Sequence, residues 1–499
     1  MKRVLLFLVA LTLVGSLAWA ADPPPQQGGT VTVAITADPP GWDPTASTSQ
    51  EIARVVYHNV YEGLVRLDRS GKIVPALAKS WTVSPDGTTL TFQLRSGVTF
   101  HDGTPFTPED VVKTFERAKD KTSGHTHPEY YASIDTIEAG PDNTVVFHLS
   151  KPNSSLLFNL ARPDSVIYPP SKAATQRSHP IGTGPFMFSS YTPGSEVVLV
   201  RNPHYYIQGE PYLDKVVFKI MPDPNTRFAA LQAGDIDMIA SSLPPEQYLR
   251  IKNGSVPGVK GAEGTATTEI TLALNNARPP LNDKRVREAI TMAIDKKAIV
   301  QGAMFGLGTV ISTHMTPAEP YYINPDPYPY DPAKAKQLLA EAGYPNGFKI
   351  KFELPQPYPI ERRTGQVIAQ QLKQVGIDAQ VSVVEWTTWL QRIFLGGDYD
   401  MTIIGHSEPR DISIYGNPNY YFHYDNPVVQ NLLKQAEAAT SPQVQTADYQ
   451  EVGKIIAQDA VNVWVFSPPY LVAARNDIYG FWTNQPTPAI DMTRVYRAP

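Results

Sequence analysis

The segment Gly405-His406-Ser407-Glu408-Pro409 sets a serine beside a histidine and a carboxylate, the side chains of a nucleophilic hydrolase. The elbow that presents such a serine needs glycine two residues later, because the turn is too tight for a side chain. Pro409 stands there instead. A periplasmic serine hydrolase using Ser407 is kept as the alternative reading, not the main one. His125 and His127 could share a metal only from an extended strand, and no third ligand lies at motif spacing, so they read as loop histidines. Gly182-Thr183-Gly184-Pro185 fails as a dinucleotide fingerprint, because proline blocks the helix that must follow. Asp86-Gly87 and Asp102-Gly103 are turn signals rather than acid/base pairs. The chain has no cysteine, which removes disulfides, thiolate metal sites and thiol nucleophiles. The expectation is a protein without catalytic residues, metal or cofactor.

The elements that would carry these residues are α/β. Thr30 to Thr36 reads as a strand. Leu90, Phe92 and Leu94 alternate with Thr91, Gln93 and Arg95, and Val145 to Leu149 behaves similarly. Glu196 to Arg201 and Lys215 to Ile220 form a further pair of strands. Thr107 can cap a helix that has Pro108 at its first position and acids in its first turn. Val286, Ala289, Ile290, Ala293 and Ile294 follow helical spacing. Asp331-Pro332 opens a helix that Gly343 stops; a strand (348–354), a helix (361–375) and a strand (381–384) follow. Trp386 and Trp389 lie three apart on a predicted helix, as a core pair or as a wall for a ligand.

Composition narrows the class. At 499 residues the chain is long enough for roughly three domain-sized units. Its net charge of -5 argues against a nucleic-acid partner and suits a soluble monomer. Lys2 and Arg3, the apolar run Val4 to Val14 and Ala18-Trp19-Ala20 read as a signal peptide cleaved after Ala20. Without a cysteine to acylate, the exported protein would not be lipid-anchored. An outer membrane would then have to retain it, so the expected compartment is a periplasm.

The stretch Leu77-Ala-Lys-Ser-Trp-Thr-Val-Ser-Pro-Asp-Gly, continuing through Phe100-His-Asp-Gly-Thr-Pro-Phe-Thr-Pro-Glu-Asp-Val-Val112, resembles bacterial extracellular solute-binding proteins of family 5. These are the dipeptide-, oligopeptide- and nickel-binding proteins of ABC importers. Pro180-Ile-Gly-Thr-Gly-Pro-Phe186, Arg201-Asn-Pro203, Leu231 to Asp237, Asp283 to Ala289, Ala340 to Pro345 and Val384-Glu-Trp386 continue the resemblance in order. It implies a periplasmic-binding-protein fold, two hinged α/β lobes with an extra inserted domain. Lobe one would be about 21–60, 180–268 and 475–499, the extra domain 61–179 and lobe two 269–474. The implied function is capture of a small solute or short peptide by hinge closure and delivery to inner-membrane ABC permease subunits.

The resemblance also implies site residues. Peptide-binding relatives carry Gly-Trp and, three residues on, an aspartate for the peptide ammonium in the loop that here reads Gly405 to Asp411. In this chain His406 replaces the tryptophan and Pro409 falls at the aspartate. Glu408 and Asp411 become candidates for the displaced carboxylate, and Arg410 for receiving a ligand carboxylate. The alternative is that these charges pair among themselves. Trp386 is carried over as a ligand wall, with Trp42, in the loop Pro40 to Pro44, as the candidate from the opposite lobe. Di- or oligopeptides, opine-like conjugates, metal chelates and sugars stay open as ligands, an amine-bearing one being favoured.

Overall fold

The computed structural model describes residues 22–356 and 358–498. The expected signal peptide, residues 1–20, lies outside the described residues. Three sheets organise the rest. The first has seven strands in the order Val259–Gly264, Tyr470–Arg475, Met238–Ile239, Thr30–Ile35, Lys215–Ile220, Glu196–Arg201 and Phe186–Thr192. Thr30–Ile35 is central and covered on both faces. Val31, Val33 and Ile35 enter one apolar cluster and Ala34 the cluster on the other side, the period-two alternation of a strand.

The second sheet has six strands: Thr309–Val310, Val463–Ser467, Glu269–Leu274, Met401–His406, Phe348–Pro355 and Ile377–Val384. Ile270, Leu272 and Leu274 pack under helices Lys284–Met292, Pro332–Glu341 and Pro359–Gln374. Ala273 and Ile404 face the cluster containing helices Pro427–Ala438 and Pro442–Gln458. The last strand starts at Ile377, earlier than the expected Val381, because residues from 377 onward pair in parallel with Phe348–Pro355.

The third sheet is antiparallel: Ala78–Val83, Thr89–Leu94, Thr144–Leu149 and Ile134–Gly140. Leu90, Phe92, Leu94, Val145, Phe147 and Leu149 share a core with Val111 and Phe115 of helix Pro108–Lys119. At that helix's start, Asp110 accepts from the backbone N–H and the hydroxyl of Thr107, both at 2.8 Å. This unit is inserted in sequence between strands of the first sheet.

The chain passes between the first and second sheets twice, from Gly264 to Glu269 and from Ser467 to Tyr470. The second passage corrects one expected boundary. Residues 470–474, assigned from sequence to the second lobe, hydrogen-bond to Val259–Gly264 in the first sheet. Pro468-Pro469 explains the change of sheet, since proline offers no N–H to a ladder. Among the described residues, no helix is long and apolar enough to cross a membrane.

Candidate functional site

A cavity opens where the three units meet. Its walls are the loop and helix start Pro44 to Ala53 with Thr487 and Pro488 from the first lobe, Thr126, His127 and Phe158 to Asp164 from the inserted domain, and Ser407, Glu408 and Pro409 from the second lobe. Its empty volume, open solvent at the mouth included, is about 640 Å³.

The second-lobe wall is the loop after strand Met401–His406. Asp411 does not face the cavity. Its Oδ1 lies 2.7 Å from Nε2 of His314, whose Nδ1 lies 2.5 Å from Oε1 of Glu269. Burial works against a charged His314, yet Glu269 and Asp411 together hold it well above the usual imidazole range. Burial alone would raise Asp411, but the His314 charge and hydrogen bond keep it below the usual carboxylate range. Asp411 is thus committed to fixing the base of the loop. His406 stacks on Tyr421 and its Nε2 sits 2.9 Å from the Tyr421 hydroxyl. Burial, reinforced by the neighbouring His314, pushes His406 down to about 4, so it is neutral.

Arg410 adopts a left-handed backbone (φ 61°), which turns its N–H toward Oε1 of Glu319 at 2.8 Å. Its guanidinium lies 4.1 Å from the ring centre of Phe158 and donates to the carbonyl of Gly71, both on the inserted domain. Ser407 has no histidine partner. Its Oγ accepts from Thr268 at 3.2 Å and its carbonyl accepts from Thr267 at 3.1 Å, so it ties the loop to the first inter-lobe passage. The hydrolase geometry, a base within reach of the serine, is not what surrounds this hydroxyl.

Glu408 alone among the six expected site residues lines the cavity. It is 53% exposed, and its Oε2 accepts from Nη2 of Arg162 at 2.9 Å across the cleft. Trp42 is 2% exposed and packs on Phe188 and Tyr191, at 5.2 and 5.0 Å between ring centres. It is first-lobe core, because the Pro40 to Pro44 loop folds inward over the sheet edge. Trp386 stacks on Trp389 at 5.1 Å and meets Tyr358 edge-on. It is half-buried on the second lobe's aromatic cluster, outside the cavity lining. Trp389 is the core member, its indole N–H donating to Thr402 at 2.9 Å.

Sequence reasoning missed the inserted-domain wall. Arg162 is 11% exposed at its side chain, lies over the Tyr130 ring at 4.7 Å, and reaches both Asp164 and Glu408. The signal was present in Leu160-Ala-Arg-Pro-Asp164, two opposite charges flanking a proline in an apolar stretch. Further bonds close the same interface: the N–H of Ser154 donates to the Glu437 carbonyl at 2.8 Å, and its hydroxyl to that of Ala436 at 2.6 Å. The inserted domain therefore grips the second lobe directly.

Comparison with known proteins agrees with this architecture. The family model described as bacterial extracellular solute-binding proteins, family 5 middle, matches residues 72–427. Heme-binding protein A of Haemophilus influenzae is 32% identical over 445 residues, 80% of each chain. Glutathione-binding protein GsiB of Escherichia coli K12 is 30% identical over 502 residues, 95% of this chain and 94% of that protein. The periplasmic binding protein DppA of Helicobacter pylori, solved with the peptide STSA, superposes with a TM-score of 0.81 at 28% identity, covering 95% of this chain and 99% of the other. With a cleft between two lobes, an inserted domain and this match over most of its length, the chain belongs to the bacterial extracellular solute-binding proteins of family 5.

Proposed function

We propose that this protein is the exported solute-binding component of an ABC importer and that it captures a zwitterionic, peptide-like solute. The observation carrying the ligand class is the cross-cleft pair Arg162–Glu408 at the mouth of a cavity walled by all three units. A ligand carboxylate can replace Glu408 on the Arg162 guanidinium, keeping that cation paired while joining the lobes. Peptides and glutathione, named for two of the relatives, both offer a carboxylate and an ammonium group. The passages 265–268 and 468–469 act as the hinge, and the bond from Thr268 to Ser407 links the ligand loop to it. Closure is a population shift favoured by a ligand that touches both walls.

The protein acts as a monomer in the periplasm after cleavage following Ala20, without a lipid anchor, and hands its cargo unchanged to permease subunits. It is not an enzyme. The test is mass spectrometry of the small molecule released when freshly purified protein is denatured, followed by rebinding. The expected result is an amine-bearing carboxylate that rebinds one-to-one and is recovered intact. Recovery of a hydrolysed product would restore the Ser407 hydrolase reading.

A further inference from the structure

We propose that Asp164, on the inserted domain, receives the ammonium group of the solute, with the Thr126 hydroxyl as its second acceptor. In peptide-binding relatives a second-lobe aspartate has that task; in this chain Asp411 is engaged by His314, and Glu408 is the exposed partner of Arg162 at the other side of the cavity. Asp164 is 6% exposed and lines the cavity. Its Oδ1 lies 3.4 Å from Nε of Arg162, whereas its buried Oδ2 has no hydrogen-bond partner among the described residues. Thr126, on the same cavity, also has a buried side-chain oxygen without a partner among the described residues.

Asp164 and Thr126 both line the cavity and each has an oxygen lacking a donor, which is what a donor-only cation satisfies once the side chains turn toward it; an ammonium offers three N–H bonds. A buried carboxylate oxygen without a donor is costly, so the site is poised to gain from such a group. The surroundings hold Asp164 in place: His125 Nε2 sits 2.9 Å from its carbonyl, and the next residue, Ser165, donates to the Asn159 carbonyl at 2.5 Å. A zwitterionic solute leaves the net charge of this cluster unchanged, its carboxylate facing Arg162 and its ammonium facing Asp164.

The inference rests on the reading of the ligand as peptide-like, and the experiment separates the two. A pool of di- and tripeptides and the same pool N-acetylated are titrated into ligand-stripped parent, Asp164→Asn and Thr126→Val proteins, followed by thermal shift. The free-amine pool should raise the parent melting temperature and the acetylated pool should not. Asp164→Asn should need about ten- to a hundredfold more of the free-amine pool for the same shift, and Thr126→Val several-fold more. An Asp164→Asn protein that responds like the parent overturns the assignment while leaving the peptide reading intact. Equal response of the parent to both pools overturns it as well. Failure of either pool to shift the parent removes the peptide reading and this inference with it. If Asp164→Asn does not fold, the acetylated pool and Thr126→Val decide: parent-like behaviour of Thr126→Val toward both pools overturns the proposal.

Discussion

The two walls of the cleft handle charge in opposite ways. On the second lobe, Glu269, His314 and Asp411 form a closed set, His406 is neutral against Tyr421, and the Arg410 guanidinium is spent on Gly71 and Phe158 while its backbone N–H goes to Glu319. On the inserted domain, Arg162 reaches outward to an exposed partner, and Asp164 and Thr126 keep acceptors without donors. A wall whose polar groups are already paired serves to hold a shape, whereas one with acceptors still lacking donors has capacity for a ligand. On the proposal above, the chemistry of recognition sits on the inserted domain and the second-lobe loop is the surface that closes against it.

Breaking the closed set should have the largest effect. His314→Leu leaves Glu269 and Asp411 buried without their shared cation, and should cost about 3–5 kcal/mol of stability in a denaturant melt. Its pH dependence follows from the shifts. His314 titrates in the folded protein well above its ordinary 6.5, so its contribution is full below about 6.5 and fades as the pH rises through the folded value. Asp411 titrates below its ordinary 3.8, so its contribution is present above 3.8 and fades as the pH falls through the folded value. Burial raises Glu269 above its ordinary 4.5, so it loses its charge first as the pH falls; the stability gap between parent and variant should be widest toward the alkaline end of the window between those limits, and a gap that does not change with pH would contradict the set.

Trp386→Ala removes a half-buried indole that stacks on Trp389, and should cost about 1–2 kcal/mol, less than the roughly 3–5 kcal/mol expected for fully buried Trp389→Ala. Calorimetric melting of the two variants compares them, and a larger loss at Trp386 would make it the core member. Glu408→Gln breaks a pair with one exposed partner, so stability should change by less than about 1 kcal/mol. Ser407→Ala should be comparably small, about 0.5–1 kcal/mol for the lost hydroxyl contact with Thr268. Ester or peptide hydrolysis that disappears in Ser407→Ala would contradict the binding reading.

What was legible in the sequence follows from range. The alternation of Leu90, Phe92 and Leu94, the Thr107 cap and the Asp331-Pro332 helix start are local, and each led to the observed element. The lobe boundary near 470 was obscured because apolar strands flank Pro468-Pro469 on both sides, so hydropathy does not change where the sheet does. Of the cavity lining, Glu408 was legible because a loop neighbourhood names it. Asp411 looked free because its partner, His314, is 97 residues away. Arg162 and Glu408 are 246 residues apart, and only the packing of the inserted domain on the second lobe joins them. Trp42 looked like a loop aromatic because Phe188 and Tyr191, which bury it, lie far along the chain.

The claim that the inserted domain carries recognition is tested most directly at Arg162. The small molecule released from the parent on denaturation is identified and titrated by calorimetry into stripped parent and Arg162→Met proteins. Binding to the parent should be one-to-one, and Arg162→Met should bind at least about a hundredfold more weakly, the loss expected when a buried, hydrogen-bonded charge partner is removed. An Arg162→Met protein that folds and binds that molecule with the parent's affinity would contradict the account and return recognition to the second lobe.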